Sequence, residues 1–127
     1  MRWIAVVAFG ALAAGCRSDT CSDTGGSCTG GNTCTRNGEC LPPSQVRMVK
    51  VTWTIGGMPA SATTCASVGD FALYFQDPVT ADSFGYEPVP CMEGQFTIDR
   101  IPTRFSEAAV NANVQPIGSD GTVAFNF

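Results

Sequence analysis

Four cysteines fall within twenty residues, spaced Cys21-x6-Cys28-x5-Cys34-x5-Cys40, and no other feature of the chain limits its folding so severely. A segment that short cannot bury a hydrophobic core, so covalent staples must hold whatever structure it has. Gly25-Gly26, Gly30-Gly31 and Asn37-Gly38 lie in the intervals and supply turns. The segment from Cys34 to Cys40 is expected to be a β-hairpin in which Asn37-Gly38 makes a two-residue type I′ turn and sets Arg36 opposite Glu39. A structural zinc site is the other reading of four clustered cysteines. Zinc knuckles favour Cys-x2-Cys spacing and a reducing compartment, and this chain offers neither.

The compartment follows from the start of the chain. Arg2 is followed by an apolar and small-residue run from Trp3 to Ala14, which Arg17-Ser18-Asp19 interrupts after Cys16. A spanning helix needs about 20 apolar residues, so the run suits the short helical core of a signal peptide over residues 1–15. The sequence Leu12-Ala13-Ala14-Gly15-Cys16 resembles a lipobox, the site at which bacterial lipoprotein leaders are cleaved and the new N-terminal cysteine is acylated. It departs from the usual pattern in carrying Ala13 where leucine is customary. The resemblance implies lipidation of Cys16 and a membrane partner held through that lipid. Arg17 stands where many inner-membrane lipoproteins carry aspartate, so the resemblance further implies an outer-membrane destination.

Cysteine parity agrees with that reading. The chain has seven cysteines; assigning Cys16 to lipid leaves Cys21, Cys28, Cys34, Cys40, Cys65 and Cys91, enough for three disulfides. Four clustered cysteines allow three pairings, and the sequence alone does not choose among them. The module resembles small extracellular modules of the EGF-like sort, which implies the interleaved pairing Cys21 with Cys34 and Cys28 with Cys40. Cys65 and Cys91 are then each other's natural partners.

Leu41 closes the module, which spans residues 16–41, and Pro42-Pro43-Ser44 belongs to a semi-rigid linker over residues 42–45. From residue 46 to 127 the hydrophobic pattern has period two. Val49, Val51, Trp53 and Ile55 face one way while Lys50, Thr52 and Thr54 face the other. Phe71, Leu73 and Phe75 predict a second strand, Phe96 and Ile98 a third, and Val123, Phe125 and Phe127 the last. Alternation from Glu107 to Val114 reads as one further strand. Tyr86 to Cys91 reads as an edge strand because Pro88 and Pro90 cannot donate to a ladder. Only Ala60 to Val68 suggests a helical turn or two. The expected fold is all-β, a small immunoglobulin-like antiparallel β-sandwich behind a disulfide-rich hairpin module.

The Cys-rich stretch, Val51-Thr52-Trp53-Thr54-Ile55, Pro90-Cys91, Gly94-Gln95-Phe96-Thr97-Ile98 and Ile101-Pro102 together resemble uncharacterised bacterial lipoproteins of the myxobacterial type. These motifs are strand and turn punctuation, and the resemblance implies fold and location without an activity.

Chemistry is sparse. The chain has no histidine, and its only lysine is Lys50 on a strand's outer face, so a Ser-His-Asp triad is impossible and a Ser-Lys dyad poorly placed. Asp77, Asp82, Glu87 and Glu93 form the nearest acidic group in sequence, yet no spacing singles out a catalytic pair. The segment from Asp77 to Ser83 lacks the ligand order of a calcium loop. A formal charge of -4 without basic runs argues against nucleic acid. The connection from Asp77 to Tyr86 is long enough to carry binding, with Phe84 and Tyr86 as candidate contacts unless they fold back onto the core. The expected function is therefore that of a non-enzymatic envelope lipoprotein, structural or binding, with an unknown protein or envelope partner and no cofactor or metal. The alternative is a secreted ligand-binding or inhibitory module that uses the Cys-rich hairpin as its working surface.

Overall fold

A computed structural model describes residues 20–22 and 27–127. Cys16 and the expected signal peptide of residues 1–15 lie outside the described residues. The expected all-β sandwich behind a disulfide-rich hairpin is the architecture found.

The hairpin pairs β1 (Thr33–Cys34) with β2 (Cys40–Leu41), and a single 3-10 turn, Pro43–Gln45, leads into the long strand β3 (Val46–Ile55). After β3 come β4 (Met58–Pro59), β5 (Phe71–Gln76), β6 (Ser83–Val89), β7 (Gln95–Pro102), β8 (Glu107–Val110), β9 (Asn113–Pro116) and β10 (Thr122–Asn126). One sheet sets β3 between β10 and β7, with β4 paired to the end of β3; the other runs β6-β5-β8-β9. Pairing is antiparallel throughout except that β10 runs parallel to β3, Thr122 beside Lys50 and Asn126 beside Thr54.

The period-two reading of the strands holds in its register. Val49, Val51, Trp53, Phe71, Leu73, Phe75, Ile98, Val110, Val123 and Phe125 are all buried in one core, with Phe96 partly buried against it. Aromatic rings join the two sheets: Trp53 meets Phe71 edge-on at 5.3 Å between centroids, and Tyr86 meets Phe96 at 5.2 Å. Such offset and edge contacts add about 0.5 to 1.5 kcal/mol each beyond area burial.

Three expectations need correction. The hairpin turn has three residues, not two: Thr35 and Glu39 face each other, the Thr35 N–H donates to the Glu39 carbonyl at 2.8 Å, and the Gly38 N–H closes back on Thr35 at 3.0 Å. Only Gly38 takes a positive φ, 86°, so the extra residue is absorbed as a glycine bulge and Arg36 does not oppose Glu39.

The alternation from Glu107 to Val114 is two strands. Asn111 adopts a left-handed φ of 53° and reverses the chain, and its own N–H donates to Ala72 of β5 at 3.1 Å. Asparagine tolerates that conformation better than most residues, whereas alternation alone says nothing of where a strand stops.

The connection after β5 is also shorter than expected. Residues 77–82 make the turn, and Phe84 and Tyr86 belong to β6, which is an edge strand as expected but starts earlier, at Ser83. The segment from Ala60 to Val68 is a series of turns pinned by reciprocal hydrogen bonds, the Ser61 N–H to Thr64 Oγ1 at 2.8 Å and the Thr64 N–H to Ser61 Oγ at 3.1 Å.

The Cys-rich module is seated on the sandwich by polar contacts.

Candidate functional site

All six described cysteines are paired: Cys21 with Cys34, Cys28 with Cys40, and Cys65 with Cys91. No disulfide crosses between module and sandwich, and the interleaved pairing implied by the EGF-like resemblance is the one present. The Sγ atoms of Cys21, Cys28 and Cys40 lie within 4.8 Å of one another, the separation expected of two disulfides stacked side by side. Bonded as they are, these sulfurs are not thiolates available to a metal. Three disulfides fit an oxidising, extracytoplasmic environment.

What joins module to sandwich is a row of arginines. A β-bulge in β7 sets Asp99 and Arg100 against Met48 of β3, with Arg100 at a φ of 57°. Bulges re-aim side chains, and this one turns the Asp99-Arg100 pair toward the hairpin. The Arg36 N–H donates to the Arg100 carbonyl at 3.0 Å, the Arg36 guanidinium donates to Asp99 through Nε at 3.1 Å, and Arg100 donates to the Cys34 carbonyl at 3.0 Å. The Arg36 hydrogen bond holds the Asp99 carboxyl below its usual range against the opposing effect of partial burial.

Arg104, just after β7, is the second fastening. One guanidinium nitrogen donates to Asp77 at 2.9 Å and Asp82 at 3.0 Å, while the other bonds Glu39 of the hairpin. The guanidinium also lies over the Phe105 ring, 4.4 Å from its centroid. Asp77 is almost wholly buried and accepts from the Val79 N–H at 2.9 Å and the Thr80 hydroxyl at 2.9 Å. The Val79 bond foremost, then Arg104 and Thr80, hold the Asp77 carboxyl at about 2 against the ordinary 3.8. Thus two of the four acidic residues singled out in the sequence do converge, but onto a cation that clamps the 77–82 turn, the end of β7 and the hairpin together.

Glu87 faces the Tyr74 hydroxyl at 3.5 Å, and Glu93 closes the short 3-10 turn Cys91–Glu93. Lys50 is solvent-exposed on β3. Phe84 and Tyr86 fold back onto the core: Phe84 stands edge-on to Phe105 at 4.8 Å, and Tyr86 packs on Phe96. They reinforce the sandwich at its β6 edge.

The arginines were missed in the sequence because the contacts that join hairpin to sandwich are distant in the chain, Arg36 and Asp99 at a separation of 63, Arg100 and Cys34 at 66 and Arg104 and Glu39 at 65. Single charges scattered along a chain carry no periodicity that would announce such pairs. Arg47 belongs with them: its guanidinium donates to the Phe105 carbonyl at 3.1 Å and the Gly118 carbonyl at 3.2 Å, tying two loops to the start of β3.

Two outcomes follow from the Arg104 clamp. Arg104→Ala should leave Glu39, Asp77 and Asp82 without their shared cation and lower global stability by about 1 to 2 kcal/mol. Amide protection should fall most in the hairpin and the 77–82 turn, as read by hydrogen exchange; uniform loss across the sandwich would contradict the clamp. Asp77, its acidity strengthened by folding, stabilises the folded chain above its ordinary value of 3.8, and that contribution is lost as pH falls toward 2. The Val79 amide resonance should therefore titrate near pH 2, and a midpoint near 4 would contradict the assignment.

Comparison of the chain with protein-family models, curated proteins and solved structures finds no match in any of the three.

Proposed function

We propose that this chain is a cell-envelope lipoprotein, anchored by acyl chains on Cys16 and serving as a non-enzymatic binding or structural scaffold. The observation that carries this reading is cysteine parity. Six of the seven cysteines are consumed in three disulfides, and the seventh is the one that adjoins the apolar leader and completes the lipobox-like Ala13-Ala14-Gly15-Cys16. A free thiol in an oxidising compartment is a liability, and acylation removes it. Arg17 after the anchor favours the outer membrane in a cell that has two. The likeness to myxobacterial-type lipoproteins fits the same role.

The alternative of a secreted module acting through its hairpin is less well supported. Arg36 and Glu39, the charged residues of the hairpin turn, are spent on Asp99 and Arg104 of the sandwich. A working surface would leave such groups for its target.

Mass spectrometry of the N-terminal peptide tests the anchor. Acyl additions on Cys16, with no residue before it, are expected. An unmodified N-terminus at Gly15 or Cys16 would show ordinary secretion instead. Affinity capture of the tagged protein from its own envelope would then identify what the scaffold holds.

A further inference from the structure

The sandwich has four sheet edges, and three are blunted. On β6 the edge carries Pro88, and on β9 it carries Pro116. On β7 it is bent by the bulge at Asp99 and Arg100 and covered by the hairpin, whose Arg36 N–H bonds the Arg100 carbonyl. Proline, charge, bulges and covering segments are the usual devices that stop an edge from pairing with another chain.

The fourth edge, β10, carries no blunting residue of its own: Thr122-Val123-Ala124-Phe125-Asn126 contains no proline, glycine or charge. Its hydrogen-bonding side can be read off the ladder. The Lys50 N–H donates to the Gly121 carbonyl, the Phe127 N–H donates to the Thr54 carbonyl, and the Gly56 N–H donates to the Phe127 carbonyl. Odd-numbered residues therefore bond to β3, and the period of two turns the N–H and C=O of Ala124 and Asn126 outward. Thr122 is already satisfied, its N–H by Asp120 Oδ1 at 3.0 Å and its carbonyl by the Gly118 N–H at 2.8 Å. Two residues of backbone thus stand ready for a further strand.

Along this edge runs a groove of about 450 Å³, with Lys50, Thr52, Thr122 and Ala124 on one side and Gln115 and Pro116 across from them. Lys50 is its single charged lining residue and has no ion-pair partner among the described residues. The nearby Asp120 carboxylate is engaged by the Thr122 N–H and hydroxyl. A positive charge without a counter-ion, on a chain whose net charge is -4, singles out an acidic ligand.

We propose that the β10 groove binds an extended peptide segment of a partner protein, which adds to β10 as a further strand and sets a carboxylate against Lys50. In this mode main-chain hydrogen bonds supply affinity and side-chain contacts supply selectivity. The proposal rests on the reading of the chain as a binding scaffold, and it is independent of the lipid anchor.

The test titrates the full exported chain, purified in detergent, with fluorescein-labelled peptides Thr-Val-Glu-Val-Thr and Thr-Val-Lys-Val-Thr, followed by anisotropy. The Glu peptide should bind saturably and about threefold to fivefold more tightly than the Lys peptide, the worth of one exposed ion pair. Lys50→Glu should reverse that preference. Ala124→Pro removes an outward N–H without touching the β3 ladder, and it should abolish binding of both peptides while Trp53 fluorescence still reports a folded core. Should Ala124→Pro fail to fold, Lys50→Glu still decides the matter.

Absence of binding by either peptide at millimolar concentration overturns the proposal, as does equal affinity for the two. Self-association in sedimentation that Ala124→Pro removes would also overturn it, because the edge would then serve a second copy of the chain. Failure of the anchor is read separately, from the N-terminal mass.

Discussion

Replacing both Cys65 and Cys91 with alanine is expected to lower the stability of the sandwich by about 2 to 5 kcal/mol while leaving the hairpin's two disulfides intact. The bond closes a loop with a sequence separation of 26, and loop-closure entropy alone sets its worth at about 3.5 kcal/mol. The loop it closes starts within the irregular segment between Pro59 and Phe71, which has turns but no ladder of its own. Both cysteines are buried in the core, and the Trp53 indole N–H donates to the Cys91 carbonyl at 2.7 Å. The double variant therefore loosens the chain beside the tryptophan, and denaturant unfolding followed by Trp53 fluorescence should show it directly. For a domain of this size the loss is a large fraction of total stability. A change below about 1 kcal/mol would contradict the loop-closure account, and rearranged hairpin disulfides on peptide mapping without reduction would show that the two parts are not separate covalent units.

The other large effect concerns attachment. A variant carrying Cys16→Ala, with residues 1–15 exchanged for an ordinary cleavable secretory leader, should move wholly to the soluble fraction, whereas the unaltered protein should need detergent for release. Each buried methylene of an acyl chain contributes about 0.8 kcal/mol, and more than one chain makes attachment effectively permanent. Among the described residues no helix is long and apolar enough to cross a membrane. If the variant still sediments with membranes after a high-salt wash, attachment lies elsewhere in the chain and the lipid reading fails. Release of the unaltered protein by salt alone would fail it equally.

Strand existence and register were legible because burial on one face leaves a period-two record, as in Val49, Val51 and Trp53. Proline placement marked β6 as an edge in the same local way. What was not legible depends on contacts distant in sequence or on conformations of single residues. Nothing near Asn111 distinguishes a strand that continues from one that reverses. Nothing in Asn37-Gly38 excludes a two-residue turn; the observed loop is decided by Thr35 and Glu39 pairing with one another. The fastening of hairpin to sandwich depends on Arg36 and Arg100, brought together where β7 bulges, and on Arg104 just after it, whose hairpin partner Glu39 is far away in sequence. The groove along β10 was likewise invisible, since Lys50 and Thr122 share it through a pairing 72 residues apart.

That pairing also bears on when the molecule can fold. Strand β3 opens the sandwich, and its neighbour on one side, β10, is the last strand in the described chain. A chain delivered from its N-terminus can form the hairpin, close Cys65 on Cys91 and assemble β5 with β6, but β3 must wait with one flank open. Gly121 shows how close the final fit is: its left-handed φ of 81° brings the backbone against the Met48 carbonyl, where a side chain would collide. Contacts of such long range slow folding because the intervening loop must first be ordered. Docking of β10 is thus the event that completes this sheet, and until it occurs β3 offers an unfilled place beside Lys50 to Thr54.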